Sequence, residues 1–196
     1  FPFELPGLAA LLILLFMAFP ATKTILAMKD TSSPDMTVKV TGYQWKWSYD
    51  YLQEGFGYYS NLKTPLAQIE NREAKGENYL LEVDNPLVVP VDTKVRVLIT
   101  ANDVLHSWWV PAFGVKQDAI PGFVRDAWFK AEQVGTYRGQ CAELCGKDHA
   151  YMPIELHVVS QADYDAWAEK IKTASAQEAR DYLFAMLKAK GQLAQN

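Results

Sequence analysis

The chain is poor in cysteine, in histidine and in excess charge of either sign. Its 196 residues include two cysteines and three histidines, and the net charge is −4. Two cysteines cannot build the disulfide network of small secreted proteins, so the fold must depend on a hydrophobic core. The weak negative charge and the 49% hydrophobic content exclude a disordered chain and argue against a nucleic-acid partner. We expect one globular domain with an appendage.

Charged side chains are missing from residues 5–21. This run is at the short limit for spanning the hydrocarbon core of a membrane, and it extends to Met28 if Lys23 reaches the interface with its ammonium group. We interpret residues 1–29 as a transmembrane helix in a lipid membrane. A secretory signal peptide is the alternative, but it would favour a basic start, and this chain begins Phe-Pro-Phe-Glu.

A run of aromatic residues follows. Tyr43, Trp45, Trp47, Tyr49 and Tyr51 occupy every second position and alternate with polar residues. The alternation predicts one strand over residues 43–51 with an entirely aromatic face. Packing against the core explains most of these rings, and a functional ring near the surface is the alternative for one of them.

The rest of the middle segment contains short strand-like runs separated by turn residues. They lie at residues 79–83, 87–89, 95–100, 123–129, 135–138 and 154–159, whereas residues 54–76 resemble a loop or a weak hairpin. Many short strands without intervening helices favour a mainly β fold, a sandwich or Greek-key barrel. Helical patterns return at 162–172 and 176–190, after Ser160 as a predicted N-cap. We therefore divide the chain into a transmembrane helix (1–29), a β domain (30–160) and a helical extension (161–196).

Four side chains that bind soft or borderline metals fall within twelve residues. Cys141, Cys145, His149 and Met152 are separated by four, four and three positions in a segment rich in turn residues. His106, just after the strand at 95–100, adds a fifth. Each residue alone has an ordinary structural explanation, such as packing or a disulfide. Together they predict a metal site.

The donor set leaves two metals open. Two cysteines and two histidines satisfy a tetrahedral structural zinc, which gives Met152 no role. A thioether prefers copper, and blue-copper sites combine His, Cys and a weak Met ligand, but they need one thiolate where this chain has two. Two thiolates can each bridge two coppers, with one histidine on each metal. Such a shared site changes little in geometry when it gains or loses an electron.

Five motifs occur in a fixed order between about residue 20 and residue 160. They are Gly42-Tyr-Gln-Trp45-Lys-Trp47-Ser-Tyr49, Asp103-Val-Leu-His106-Ser-Trp108, Asp118-Ala-Ile-Pro-Gly122, Gly139-Gln-Cys141-Ala-Glu143-Leu-Cys145-Gly146 and His149-Ala-Tyr-Met152-Pro153. In this order they resemble subunit II of the haem-copper cytochrome c oxidases, which carries the dinuclear copper site called CuA. The resemblance implies a cupredoxin-like Greek-key β-sandwich.

The resemblance also implies the ligands. Cys141 and Cys145 would bridge both coppers, and His106 and Met152 would complete one metal. His149 and the main-chain carbonyl of Glu143 would complete the other. The side chain of Glu143 is similar to a ligand of a magnesium or manganese ion shared with subunit I.

By the same resemblance, Trp45 is similar to the ring where the electron from cytochrome c enters, and Asp84 and Asp103 are similar to acids of the docking face. Residues 30–160 carry 17 acidic against 12 basic side chains, which suits a basic partner. The implied function is to accept electrons from cytochrome c at CuA and pass them to haem in subunit I, where oxygen is reduced to water with proton translocation. The implied partners are cytochrome c, subunit I and further oxidase subunits. The implied location is the inner membrane of a bacterium, with the copper domain on the periplasmic side.

Three other functions remain for comparison. Quinol oxidase subunits share the fold but lack the copper ligands. Nitrous oxide reductase carries CuA but needs a large additional catalytic domain. A membrane-tethered copper-delivery or zinc-binding protein would explain the ligands but not the aromatic segment or the motif at residues 118–122.

Overall fold

The computed structural model describes residues 4–191 and divides into a helical unit, ending at Ser32, and a globular unit, beginning at Ser33. The first unit is α1, Glu4–Met28, which contains Pro20. Among the described residues it is the one helix long and apolar enough to cross a membrane. The hydroxyls of Thr22 and Thr24 donate to main-chain oxygens one turn earlier, so these polar groups are satisfied inside the helix. The helix fits a membrane anchor, as predicted.

The globular unit contains two five-stranded sheets that share one hydrophobic core. In chain order its elements are β1 (Met36–Tyr43), β2 (Lys46–Tyr51), β3 (Phe56–Ser60), α2 (Leu66–Ile69), β4 (Leu87–Pro90), β5 (Lys94–Ala101), β6 (His106–Val110), β7 (Val115–Ala119), β8 (Arg125–Lys130), β9 (Gly135–Cys141), β10 (Pro153–Val159), α3 (Gln161–Thr173) and α4 (Ala176–Ala189). One sheet has the order β3-β2-β1-β5-β8, and the other has the order β4-β10-β9-β6-β7. The pairs β1–β5 and β4–β10 are parallel, and the other pairs are antiparallel. The mainly β prediction is confirmed.

The predicted single strand over residues 43–51 is wrong. The chain turns at Gln44 and Trp45, which are joined by a cis peptide bond, and Tyr43 pairs with Lys46 across the turn. Directly paired residues lie on the same face of a sheet, so Tyr43 shares the face of Lys46 and points away from the rings of β2. The aromatic alternation in the sequence runs through the turn without a break, although the turn reverses which positions face the core. The rings of β2 are buried, whereas Tyr43 and Trp45 at the turn are half-buried.

Other strand predictions differ in detail. Residues 79–83 form a turn, with Leu80 in the left-handed region, and only Val83 makes an isolated bridge to Leu62. The segment predicted as a loop or a weak hairpin contains β3, which pairs with β2, and the short α2. The strands β6 and β7 were not predicted, and β7 carries mainly polar side chains. The other five predicted runs overlap observed strands: 87–89, 95–100, 123–129, 135–138 and 154–159.

The C-terminal helices end close to their predicted bounds. The Ser160 side chain accepts a hydrogen bond from the backbone N–H of Asp163 and caps α3, and Ser175 forms a capping box with Glu178 at the start of α4. The buried ring of Trp167 lies within 5.5–6.2 Å, centroid to centroid, of the rings of Tyr51, Phe56 and Tyr58. The helices therefore contribute to the same core as the sheets. The last five residues of the predicted extension and the first three of the predicted membrane helix lie outside the described residues.

Candidate metal centre

The candidate ligands meet at one end of the second sheet. His106 begins β6 and Cys141 ends β9, and these neighbouring antiparallel strands pair Trp108 with Cys141. The ladder continues one step beyond the strand, because the backbone N–H of Ala142 donates to the carbonyl of Ser107 at 2.9 Å. The segment between β9 and β10 then folds back and brings its own ligands to the same place. The segment after β9 and the start of the distant strand β6 are thereby brought together.

The donor atoms lie in a compact cluster around the two sulfurs. The Sγ atoms of Cys141 and Cys145 are 3.9 Å apart. The Cys141 sulfur lies 3.9 Å from Nδ1 of His106 and 3.3 Å from the carbonyl oxygen of Glu143. The Cys145 sulfur lies 3.4 Å from Nδ1 of His149 and 3.5 Å from Sδ of Met152. One imidazole therefore lies beside each thiol.

These distances fit ligands that share an ion. Bonds of about 2.0–2.3 Å from a tetrahedral first-row ion to nitrogen and sulfur place two of its ligands about 3.5–3.8 Å apart. The donor atoms of His106, Cys141 and Cys145 all lie within 4.8 Å of one another. Among residues 4–191, no other set of three or more His, Cys, Asp or Glu side chains is grouped in this way. The residues present thus fit a metal centre rich in soft donors.

The ligands are shielded from solvent to different degrees. His106 and Met152 are fully buried, and Cys141 and Cys145 are 6% and 3% exposed. His149 is half-buried, and the side chains of Glu143 and its neighbour Leu144 are exposed. The main-chain oxygen of Glu143 lies against the sulfur of Cys141. The carboxylate of Glu143 is exposed, and the role of this carboxylate as a ligand of a second ion remains a prediction.

The electrostatics of the two thiols favour a bound cation. Burial opposes ionisation of Cys141, but the hydrogen bond with His106 lowers the pKa of its thiol below the usual value. Burial and the adjacent Cys141 raise the pKa of Cys145 to about 12. Two thiolates at this separation repel each other in a buried site. A cation between them removes that penalty, which is why metal binding and deprotonation are linked.

Asp103 holds His106. One carboxylate oxygen of Asp103 lies 2.9 Å from Nε2 of His106 and accepts from the backbone N–H of Val104 at 2.7 Å. Burial raises the pKa of Asp103, but the hydrogen bonds from His106 and the backbone outweigh it and lower the pKa below the usual value. An ionised carboxylate only accepts hydrogen bonds, so Nε2 carries a proton, and in the neutral imidazole Nδ1 is then the nitrogen that can bind a metal ion.

Trp45 lies against the loop that carries the ligands. Its indole N–H donates to the carbonyl oxygen of Cys145 at 3.2 Å, and the ring is half-buried. The next ring along, Trp47, donates its indole N–H to the carbonyl of Met152 at 3.2 Å. The alternation of rings predicts Trp47 only as part of the aromatic face. Its contact with a ligand residue has no local signal, because 105 positions separate the two residues.

Comparison with known proteins places these residues in a protein family. Residues 36–159, which include every candidate metal ligand, match the family model described as cytochrome c oxidase subunit II, periplasmic domain. The chain belongs to the cytochrome c oxidase subunit II family.

Subunit II proteins from distant organisms are similar to this chain. Cytochrome c oxidase subunit 2 of Branchiostoma floridae is 40% identical over 158 residues, covering 81% of this chain and 67% of that protein. The protein of the same name from Cereibacter sphaeroides is 47% identical over 151 residues, covering 70% of this chain and 50% of that protein. The chain thus spans about half the length of this bacterial relative.

A solved member of the subunit II family has the same fold. The periplasmic domain of subunit II of cytochrome oxidase from Bradyrhizobium japonicum superposes with a TM-score of 0.63 at 46% identity, covering 70% of this chain and 93% of that one. The cupredoxin-like sandwich implied by the sequence motifs is therefore confirmed.

The two predicted docking acids occupy different places in this subunit II chain. Asp103 lies beside the candidate metal centre, as described above. The carboxylate of Asp84 accepts from the backbone and side-chain N–H groups of Asn61 at 2.7 and 2.8 Å, and its main-chain oxygen accepts from Arg180 at 2.6 Å. Each acid thus has a structural role of its own, and docking remains a prediction for both.

Proposed function

We propose that this chain is the electron-accepting subunit of a respiratory terminal oxidase. In this proposal, electrons from cytochrome c are taken up at a dinuclear copper centre and delivered to haem in subunit I, where oxygen is reduced to water with coupled proton translocation. The observation that carries the proposal is the pair of buried thiols 3.9 Å apart, with an imidazole beside each and a thioether beside one.

The ligands divide between two ions in this proposal. The thiolates of Cys141 and Cys145 would bridge both coppers. His106 and Met152 would complete one coordination sphere, and His149 and the carbonyl of Glu143 would complete the other. A copper pair bridged in this way supplies a one-electron redox centre whose charge is shared by both metals. Support comes from the contacts of Cys141 with His106 and Glu143, and of Cys145 with His149 and Met152.

The chain supplies rigidity around the sulfurs. His106 and Cys141 are fixed by the paired strands β6 and β9, and the carbonyl of Met152 is held by the indole of Trp47. Ligands that move little between oxidation states keep the reorganisation accompanying electron transfer small. Burial of the donors also excludes water from the centre.

A structural zinc ion remains the competing occupant, because the site offers two cysteines and two histidines. Met152 distinguishes the two metals. Its sulfur lies 3.5 Å from the sulfur of Cys145, and the Met152 side chain is fully buried. Zinc gives this thioether no function, whereas copper accepts it as a weak ligand.

Replacing Met152 with leucine should retain both coppers but shift the optical spectrum and the reduction potential, because the variant lacks the thioether donor at similar side-chain volume. Redox titration of the copper-loaded chain measures the shift. Met36→Leu is the matched control, since Met36 is also a buried methionine but lies at the start of β1. An unchanged spectrum and potential in the Met152 variant would remove this residue from the ligand set.

The acidic surface of the β domain and the family of the chain support the proposed partners. Cytochrome c would dock on the acidic β domain near Trp45, with Asp84 and Asp103 as contributors, and the electron would enter at the Trp45 ring. Subunit I would lie against the exposed Glu143 carboxylate, which would share a magnesium or manganese ion with it. Further oxidase subunits would complete the complex in the inner membrane of a bacterium, with α1 as an anchor and the copper domain in the periplasm.

The function is tested by mixing reduced cytochrome c with the copper-loaded full chain in detergent and following copper reduction by stopped-flow absorbance. Trp45→Phe should slow this reduction at least about tenfold without loss of copper, because the variant lacks both the indole ring and its hydrogen bond to Cys145. Trp109→Phe is the control, since Trp109 is 40% exposed on β6. The wild-type rate should also fall as salt is added. Equal rates for the two variants, or a rate independent of salt, would contradict the assigned docking site.

A further inference from the structure

Gln44 connects the two chain segments that carry the candidate ligands. It lies in the turn between β1 and β2, and its side chain is exposed. Its backbone N–H donates to Oδ2 of Asp103 at 2.8 Å, and its side-chain Nε2 donates to the carbonyl oxygen of Cys145, also at 2.8 Å. One residue therefore bonds to both sides of the metal centre.

On the side of the His106 segment, Gln44 is connected to a candidate ligand through Asp103. Gln44 holds one carboxylate oxygen of Asp103, and the other oxygen lies 2.9 Å from Nε2 of His106. The orientation of the imidazole therefore depends on a carboxylate that Gln44 helps to fix. Gly42, two residues earlier, lies so close to this imidazole that an added Cβ would be 2.8 Å from its Cδ2 atom.

On the side of the Cys145 loop, the hydrogen bonds also involve Trp45, the proposed entry point of the electron. The carbonyl of Cys145 accepts from both Gln44 and the indole N–H of Trp45. Gly146 follows with φ at +119°, and a Cβ there would lie 3.0 Å from Cζ2 of Trp45 and 3.1 Å from Nε2 of Gln44. The turn and the ligand loop are thus packed without room for a side chain between them.

We propose that Gln44 is a positioning residue that sets the separation between the His106 segment and the Cys145 loop and seats Trp45 against that loop. This inference rests on the copper centre proposed above and deepens it. Gln44 contacts none of the donor atoms and acts through Asp103 and the Cys145 carbonyl. Groups that orient metal ligands in this way typically change metal affinity or activity about 10–100-fold when they are removed.

The test is Gln44→Met in the full chain in detergent. Methionine has a similar length and leaves the backbone bond to Asp103 in place, but it cannot donate to Cys145. We expect two coppers per chain at saturation, a copper dissociation constant about 10-fold higher, and a shifted mixed-valence band and reduction potential. Gln133→Met is the matched control, because Gln133 is an exposed glutamine between β8 and β9. The control should match the wild type in affinity, spectrum and potential.

A second variant and a thermal melt distinguish a local effect at the metal centre from a general loss of structure. Gln44→Asn retains an amide donor that is too short to reach Cys145, so it should reproduce the Gln44→Met shifts. Both variants should melt within a few degrees of the wild type in the metal-free state, because Gln44 is exposed and its replacement leaves no core cavity. Wild-type affinity, spectrum and potential in both variants would overturn this inference alone. A wild-type chain that binds no copper pair would overturn both the inference and the proposed function.

Discussion

Cys145→Ser is expected to abolish the paired-metal centre. The sulfur of Cys145 lies within 3.9 Å of three other donor atoms, which belong to Cys141, His149 and Met152. A serine oxygen is too hard to bridge copper ions, so the variant should bind at most one copper and lose the mixed-valence absorption. Copper analysis with an optical spectrum measures both effects.

The fold of the Cys145→Ser variant should survive, because serine is nearly isosteric with cysteine and Cys145 lies in the segment between β9 and β10, outside the strands. A thermal melt of the metal-free chain checks this point. Leu144→Ser is the matched control, since Leu144 precedes Cys145 in the same loop but is 78% exposed. The control should bind two coppers. Two coppers with an unchanged spectrum in the Cys145 variant would refute the bridging role.

Gly139→Ala is expected to destabilise the globular unit strongly. Gly139 lies in β9, two residues before Cys141, and an added Cβ would come within 2.0 Å of the main-chain oxygen of Trp109. Because that neighbour is backbone of the adjacent strand β6, relief requires the strands to separate. We expect the free energy of unfolding to fall by at least about 2–3 kcal/mol, measured by urea titration of the metal-free chain with tryptophan fluorescence.

Gly135→Ala provides the control within the same strand. A Cβ at Gly135 would meet nothing closer than 3.8 Å, at the ring of Tyr137, so its effect should stay within about 1 kcal/mol. The Gly139 variant should also bind copper more weakly, because displacement of β9 from β6 moves Cys141 away from His106. Equal stability of the two alanine variants would contradict the close strand packing at Gly139.

The sequence predicts the class of fold because short β-branched runs and turn residues are local signals. It does not place the hairpin at Gln44 and Trp45, since the aromatic residues keep their spacing of two along the sequence even though Tyr43 and the rings of β2 lie on opposite faces of the sheet. The strands β6 and β7 were missed because their pairing, and not their composition, makes them strands. Both missed features are hairpins between neighbouring strands, where hydrogen bonding decides a structure that composition does not mark.

The candidate centre is predicted well where its residues are close in the chain. The spacing from Cys141 to Met152 is a local pattern, and family motifs add His106 from 35 positions away. The residues that orient the ligands carry no such signal. Gln44 lies 101 positions from the carbonyl it contacts, and Asp103, predicted as a docking acid, turns out to hold an imidazole. Such contacts depend on how the two sheets bring distant turns together.

The proposed function depends on two sulfurs that hold two copper ions at one end of the sandwich. Anomalous X-ray scattering at the copper edge, from crystals of the copper-loaded chain, locates these ions. We expect two copper peaks beside the sulfurs of Cys141 and Cys145, one nearer His106 and the other nearer His149. A single peak, or a signal that appears at the zinc edge instead, would contradict it.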